Sequence, residues 1–372
     1  MNAKTNRKSN IELLRIFAVM GVIILHLNNS DLGGIPGKSD RFGLCQFVIV
    51  FMGVFSVTAV NVFVLITGYF QSKKKSADLW RPLRLILDVI IFLVIFFFAY
   101  QFATGFYPLE TYVNNFVSVN WFILTYAGLY ILSPYINKMW NPLKGREKAV
   151  LVTLVFLLYS LYPSIIDFFK IKGLTTYGLD GDQRGYNIVN FVLMYLLGCA
   201  IRDAEENRDC VKKEISRIFH ISGSSLKKSA IPLLLIVNTG IILAIIYLGA
   251  YLSGKHPYAS IVFHYNNPFT VFESVLLLLI FKNLNIPDSK AVNYVARSAF
   301  YVYIIHLHFI RIFRISDFVT DDALQMLCFM ICSTLLIYLV CFVCYVVYDQ
   351  TFGRLLNIIS KNWKKHRYIE VE

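Results

Sequence analysis

The sequence predicts an all-α integral membrane protein with about ten transmembrane helices and cytoplasmic N- and C-termini. Three observations lead there. Of 372 residues, 57% are hydrophobic and 16% charged, whereas a soluble domain carries roughly 25% charged residues. Ten apolar stretches follow one another, at 11–28, 47–70, 83–104, 119–137, 149–168, 187–201, 230–252, 267–282, 294–314 and 323–349. Most approach the ~20 residues a helix needs to cross the hydrocarbon core. With the N-terminus inside, cytoplasmic segments hold 27 of the 36 Lys and Arg, external segments hold 8, and Arg15 is the remaining one. That is the bias of positive charge toward the inside. The net charge of +13 therefore reads as topology and contact with anionic lipid heads, with no nucleic-acid partner.

The first stretch, Ile11 to Asn28, reads as a signal anchor, because no small-residue cleavage site follows it. It carries Glu12, Arg15 and His26. Ionisable groups in such a segment are costly and face a protein interior or a water-filled cavity. The step from Arg15 to His26 turns a helix by ~1100°, three turns plus ~20°, and rises roughly 16 Å. Both side chains thus share one face, a fixed cation near one end and a proton acceptor well inside. The layout suits a long anionic ligand, with phosphates at Arg15 and the reactive end at His26. The plainer alternatives are an interfacial anchor at Arg15 and an interhelical hydrogen bond at His26. Glu12, three residues before Arg15, is placed to pair with it.

Further along, Asn61 in the second stretch offers an amide, either as an oxyanion donor or as an interhelical hydrogen bond. Arg81 and Arg84 stand at the cytoplasmic mouth of the third stretch, as phosphate partners or as topology determinants. Asp88, one turn beyond Arg84, is predicted to pair with it. Trp121 opens the fourth stretch with an indole N–H, again an oxyanion donor or an interface anchor. The connection 202–228 is predicted to hold an amphipathic interfacial helix around VKKEISRIFH. Glu273 lies early in the eighth stretch, close to His264-Tyr265-Asn266-Asn267, and is expected to orient a hydroxyl or pair with a cation. In the ninth, Tyr303 and His306 are three residues apart and are expected to face one neighbour. Cys341-x-x-Cys344 reads as packing, and the seven cysteines suggest neither a disulfide framework nor a metal site. Residues 1–350 read as a single polytopic domain and 351–372 as a short basic tail. Tyr, Asn, Asp and Gly in the external loops suit either a sugar-binding surface or an interface belt.

Five stretches carry a family resemblance in the right order. Arg15, ten residues, then His26 matches an Arg/Lys-x10-His motif, and Ile11-Glu12-Leu13-Leu14-Arg15 resembles the start that precedes it. Val60-Asn61-Val62-Phe63-Val64-Leu65-Ile66-Thr67-Gly68-Tyr69-Phe70 resembles a VNxFxLISGYF stretch, and Arg81-Pro82-Leu83-Arg84 follows. Trp121-Phe122 leads to Leu129-Tyr130-Ile131-Leu132-Ser133-Pro134, and Tyr301-Val302-Tyr303-Ile304-Ile305-His306 looks like a YxxYLIH segment. Together they are similar to acyltransferase family 3, the integral-membrane acyltransferases of bacterial surface glycans, in its stand-alone membrane form.

The resemblance implies an O-acyltransferase of the bacterial plasma membrane. It would move an acyl group, usually acetyl, from cytoplasmic acyl-CoA to a hydroxyl of a surface polysaccharide or its lipid-linked precursor. Acyl-CoA is then a substrate, and no bound cofactor is implied. His26 would be the general base and Arg15 a phosphate clamp, with Glu273 and His306 shaping the acceptor side. Direct transfer and an acyl-histidine relay both remain open. A competing class is a transporter or flippase of lipid-linked sugars. Paired repeats and matching helix breaks would favour it, but the chain shows no such repeats and has only ten prolines.

Overall fold

Each of the ten apolar stretches folds as helix, since a backbone in hydrocarbon must satisfy its N–H and C=O groups internally. A computed structural model describes residues 8–29, 32–38, 40, 42–106, 108–171, 183–207, 230–257, 260–363 and 368–371. Its helices are α1 (Ser9–Leu27), α2 (Leu44–Val57), α3 (Ala59–Gln71), α4 (Trp80–Thr104), α5 (Leu109–Val119), α6 (Trp121–Trp140), α7 (Gly145–Phe156), α8 (Tyr162–Phe169), α9 (Ile188–Glu206), α10 (Ala230–Ser253), α11 (Pro268–Asn283), α12 (Lys290–Val295), α13 (Ala299–Phe313), α14 (Ala323–Tyr348) and α15 (Arg354–Asn362). Six segments are long and apolar enough to cross a membrane: Ser9–Leu27, Leu44–Gln71, Trp80–Thr104, Gly145–Phe169, Ala230–Ser253 and Ala323–Asn362. The other four stretches fall on α6, α9, α11 and α13, which are shorter or more polar. The chain is a multi-pass, all-α membrane protein. The interfacial helix expected around VKKEISRIFH lies outside the described residues.

The chain divides into two compact units, Met1–Phe70 with Lys144–Phe342, and Gln71–Leu143 with Val343–Glu372. In the first unit α1 packs against α2, α11, α12 and α13. Within the most apolar window of each candidate span, 61% of α1 and 78% of Leu44–Gln71 is buried, against 17% for Gly145–Phe169. The helices carrying the motifs are therefore the centre of this unit.

Close helix contact there depends on glycine. A Cβ added at Gly68 of α3 would lie 2.1 Å from the Tyr195 carbonyl oxygen of α9, and one at Gly198 would lie 2.3 Å from the Leu65 carbonyl oxygen. Small residues at such crossings let backbones approach and gain dispersion where no hydrophobic force separates protein from lipid. The break between α2 and α3 falls at Thr58. There the Thr58 hydroxyl donates to the Phe55 carbonyl at 2.5 Å and the Ser56 hydroxyl to Met52 at 2.7 Å, back-bonding that bends helices.

Two prolines free carbonyls that side chains then satisfy. Pro163, lacking an N–H, releases the Tyr159 carbonyl four residues earlier. The chain widens into a π-turn over Leu157–Leu161, and the Asn266 amide donates to the Tyr159 oxygen at 3.4 Å. In the second unit Pro134 sits inside α6, and the Ser133 hydroxyl donates to the Tyr130 carbonyl at 2.8 Å.

The second unit is otherwise built on α4 and α6. Outward α4 residues such as Phe98 and Phe102 are exposed, as a lipid-facing helix requires. Arg84 and Asp88 pair at 3.7 Å as predicted. Tyr348 donates its hydroxyl to Asp88 at 2.6 Å, and Arg84 also donates to Asn357. The tail does more than trail: α15 follows α14, and Tyr368–Glu370 pairs antiparallel with Ser76–Asp78. That two-stranded ribbon was not predicted.

Replacing Gly68 or Gly198 with Ala drives a methyl into backbone, which cannot rotate away. Each variant is expected to lose about 1–3 kcal/mol, read as a lower thermal midpoint in nanodiscs. Gly128→Ala, where an added Cβ meets nothing within 4 Å, is expected to be neutral.

Candidate active site

α1 is tied down at both ends, which fixes the height of its polar groups. At its start the Ser9 hydroxyl donates to Asn293 at 3.1 Å and the Asn10 amide to the Lys282 carbonyl at 3.0 Å. At its end the Gly33 N–H donates to the His26 carbonyl at 3.0 Å. Only glycine fits at position 33, since a Cβ would lie 2.2 Å from the Leu27 carbonyl oxygen. The buried Asn28 amide donates to the Ile49 carbonyl of α2 at 3.4 Å.

Arg15 pairs with Glu12 at 3.6 Å, as the spacing predicted, and its side chain stays 32% accessible. A guanidinium held by one carboxylate and still open on one side can take an anion. His26 is likewise partly accessible. Its ring faces His306 of α13, with centroids 5.0 Å apart and planes at 47°. His306 is fully buried. Its Nδ1 lies 2.8 Å from the Tyr303 carbonyl and 3.0 Å from that of Val302. The Tyr303 and His306 rings touch each other, with centroids 6.2 Å apart, and the backbone oxygen of Tyr303 is the closer tie.

Other sequence-predicted residues are held elsewhere. Asn61 is fully buried. It donates to the Tyr265 carbonyl at 2.7 Å and accepts from the Asn190 amide at 3.1 Å, an interhelical staple that also fixes the 264–267 loop. Glu273 accepts from Asn238 and Thr239 of α10, each at 3.2 Å; no cation pairs with it among the described residues. Arg81, Arg84 and Trp121 belong to the second unit. There Arg81 lies 3.9 Å from Asp78, and Trp121 packs edge-on against Phe122 with centroids at 6.2 Å.

Sequence reading missed a second polar pair. His264 Nδ1 lies 3.3 Å from Asp167 of α8, and the neighbouring Tyr265 ring meets Tyr186 at 4.6 Å. The signal was an aspartate in an apolar run, but its partner is remote in sequence. An apolar cavity of about 430 Å³ opens between α7, α9, α10 and α11, lined by Phe156, Leu197, Val237, Asn238, Phe269 and Phe272 among others. None of the predicted site residues lines it.

A charged cluster surrounds Tyr69, at the end of α3. Tyr69 donates its hydroxyl to Glu205, and Lys282 lies 3.5 Å from the same carboxylate. Lys8 and Arg202 stand 5.9 and 5.4 Å from the Tyr69 ring centroid, within cation–π range. Burial alone would raise the Glu205 carboxyl. The Tyr69 hydrogen bond with the Lys282 and Lys8 charges overcomes it and holds the group below its usual range.

Over residues 8–346 the chain matches a family model described as an acyltransferase domain. No curated protein and no solved structure matches it.

A carboxylate whose folded value is depressed stabilises the fold above its unfolded value, and that contribution is lost as pH falls through the folded value. Wild type is therefore expected to melt above Glu205→Gln at neutral pH. The gap should close as pH drops below the ordinary carboxylate value of 4.5. Thermal midpoints across a pH series check this, and a gap that ignores pH counts against it.

Proposed function

The chain belongs to acyltransferase family 3, and on that premise we propose that this membrane acyltransferase is an O-acetyltransferase of a bacterial surface polysaccharide or its lipid-linked precursor. It works in the plasma membrane with both termini in the cytoplasm. The observation that carries the reading is α1 itself. Arg15 and His26 share one face of a central helix, roughly 16 Å apart along its axis, and each keeps an accessible side. Acyl-CoA fits that face, with its phosphates at Arg15 and its pantetheine arm running toward His26.

His26 takes the proton of the acceptor hydroxyl as that oxygen attacks the thioester carbonyl. A C–O bond forms, the tetrahedral oxyanion collapses, and the C–S bond breaks. The proton passes from His26 to the CoA thiolate, so alcohol and thioester become ester and thiol. The acceptor sugar docks on the other side, where the exposed Tyr186 ring, backed by the buried Tyr265, offers a face and His264, beside Asp167, offers a hydrogen bond.

The test is turnover of labelled acetyl-CoA by protein in nanodiscs with a glycan acceptor. Wild type is expected to release CoA and label the glycan. His26→Ala should lower kcat by about 10²–10⁴. Arg15→Ala should raise KM for acetyl-CoA about 10–100-fold, the loss of one charge-assisted contact. Absence of turnover with acetyl-CoA and succinyl-CoA alike would reject the acyltransfer reading in favour of a flippase.

A further inference from the structure

His306 has one ring nitrogen accounted for and one not. Its Nδ1 faces two backbone carbonyls, at 2.8 and 3.0 Å. Carbonyl oxygens only accept, so Nδ1 carries the ring proton. Nε2 is then a bare lone pair. It is buried and has no hydrogen-bond partner among the described residues. A buried acceptor left unmatched costs stability, which asks for a donor nearby. The ring facing it is His26, at 5.0 Å between centroids and tilted by 47°, close to a hydrogen bond but not making one in this structure. Neutral His26 has one N–H and one lone pair to place.

We propose that His306 is a positioning residue for His26: its Nε2 accepts the His26 ring N–H and so fixes which His26 nitrogen is left bare to act as base. The proposal rests on the acyltransfer reading above and adds a residue to it. One pairing satisfies the lone pair of His306 and leaves the lone pair of His26 for the acceptor hydroxyl. A carboxylate in that place would bring a buried negative charge, whereas an imidazole tethered to backbone orients the base without net charge. When His26 takes the hydroxyl proton, both its nitrogens become donors. One N–H stays on His306 Nε2, and the other points to the sulfur of the departing thiolate and delivers the proton there. His306 gains and loses no proton in the cycle, because its own stays on Nδ1.

The experiment is nitrogen NMR on histidine-labelled full-length protein in nanodiscs, beside kinetics of two variants. The spectrum is expected to show His306 protonated at Nδ1 and bare at Nε2, with a nitrogen–nitrogen coupling between Nε2 and His26. A His306 protonated at Nε2, or no coupling between the rings, overturns the proposal. In turnover, His306→Phe removes the acceptor and should lower kcat about 100-fold, with KM for acetyl-CoA within about twofold of wild type. His306→Gln returns an acceptor oxygen and should recover at least about tenfold of that loss. A Phe variant as fast as wild type, or a Gln variant no faster than Phe while both hold acetyl-CoA normally, also overturns it. Should wild type consume no acyl-CoA, the acyltransfer reading fails, and the spectrum still decides whether the rings pair.

Discussion

A polar side chain inside a bilayer has no water to replace a missing partner, and that constraint organises the first unit around α1. Glu12, Arg15 and His26 on one apolar helix are costly unless protein surrounds them. The surrounding is α2, α11, α12 and α13. The same constraint explains the smaller features. Thr58 and Ser56 turn their hydroxyls onto their own helix, and Asn61 and Asn190 pair with each other. The carbonyls released by Pro163 and Pro134 are met by Asn266 and Ser133. Each of these breaks is matched by a donor, as a backbone in lipid requires.

Close packing then sets how finely α1's neighbours are placed. Gly68 and Gly198 let α3 and α9 meet backbone to backbone. That contact fixes α3, whose Asn61 holds the Tyr265 carbonyl and with it the loop bearing His264. The loop is held a second way, by the Tyr265 N–H donating to the Arg184 carbonyl at 3.0 Å. Gly185 lies against it at a positive φ of 81°, where an added Cβ would also lie 2.6 Å from the Asn266 nitrogen. The residues proposed to receive the acceptor therefore stand on tethered backbone, which catalytic geometry requires.

What the sequence disclosed was local or compositional. Helices in hydrocarbon are legible because length and apolarity alone decide them, and the pairs Glu12–Arg15 and Arg84–Asp88 are legible because helical spacing brings them together. Long-range partnerships were not. His26 and His306 lie near opposite ends of the chain, and so do the strands Ser76–Asp78 and Tyr368–Glu370. Asn61 was read as a choice between oxyanion donor and staple; its two partners, Tyr265 and Asn190, come from elements that no periodicity connects to it. The amide and hydroxyl of α10 that Glu273 accepts from, on Asn238 and Thr239, likewise come from a helix that no spacing connects to it. The π-turn had a visible cause in Pro163, but its compensating donor, Asn266, sits in a distant loop.

In the proposed function one face of α1 carries the acyl donor from Arg15 to His26. A structure of the protein in nanodiscs with a non-hydrolysable acetyl-CoA analogue tests it most directly. The phosphates are expected beside Arg15, the pantetheine arm along α1, and the carbonyl that replaces the thioester within hydrogen-bond reach of the His26 ring. An analogue seated away from α1, or one whose carbonyl end lies far from His26, would contradict it.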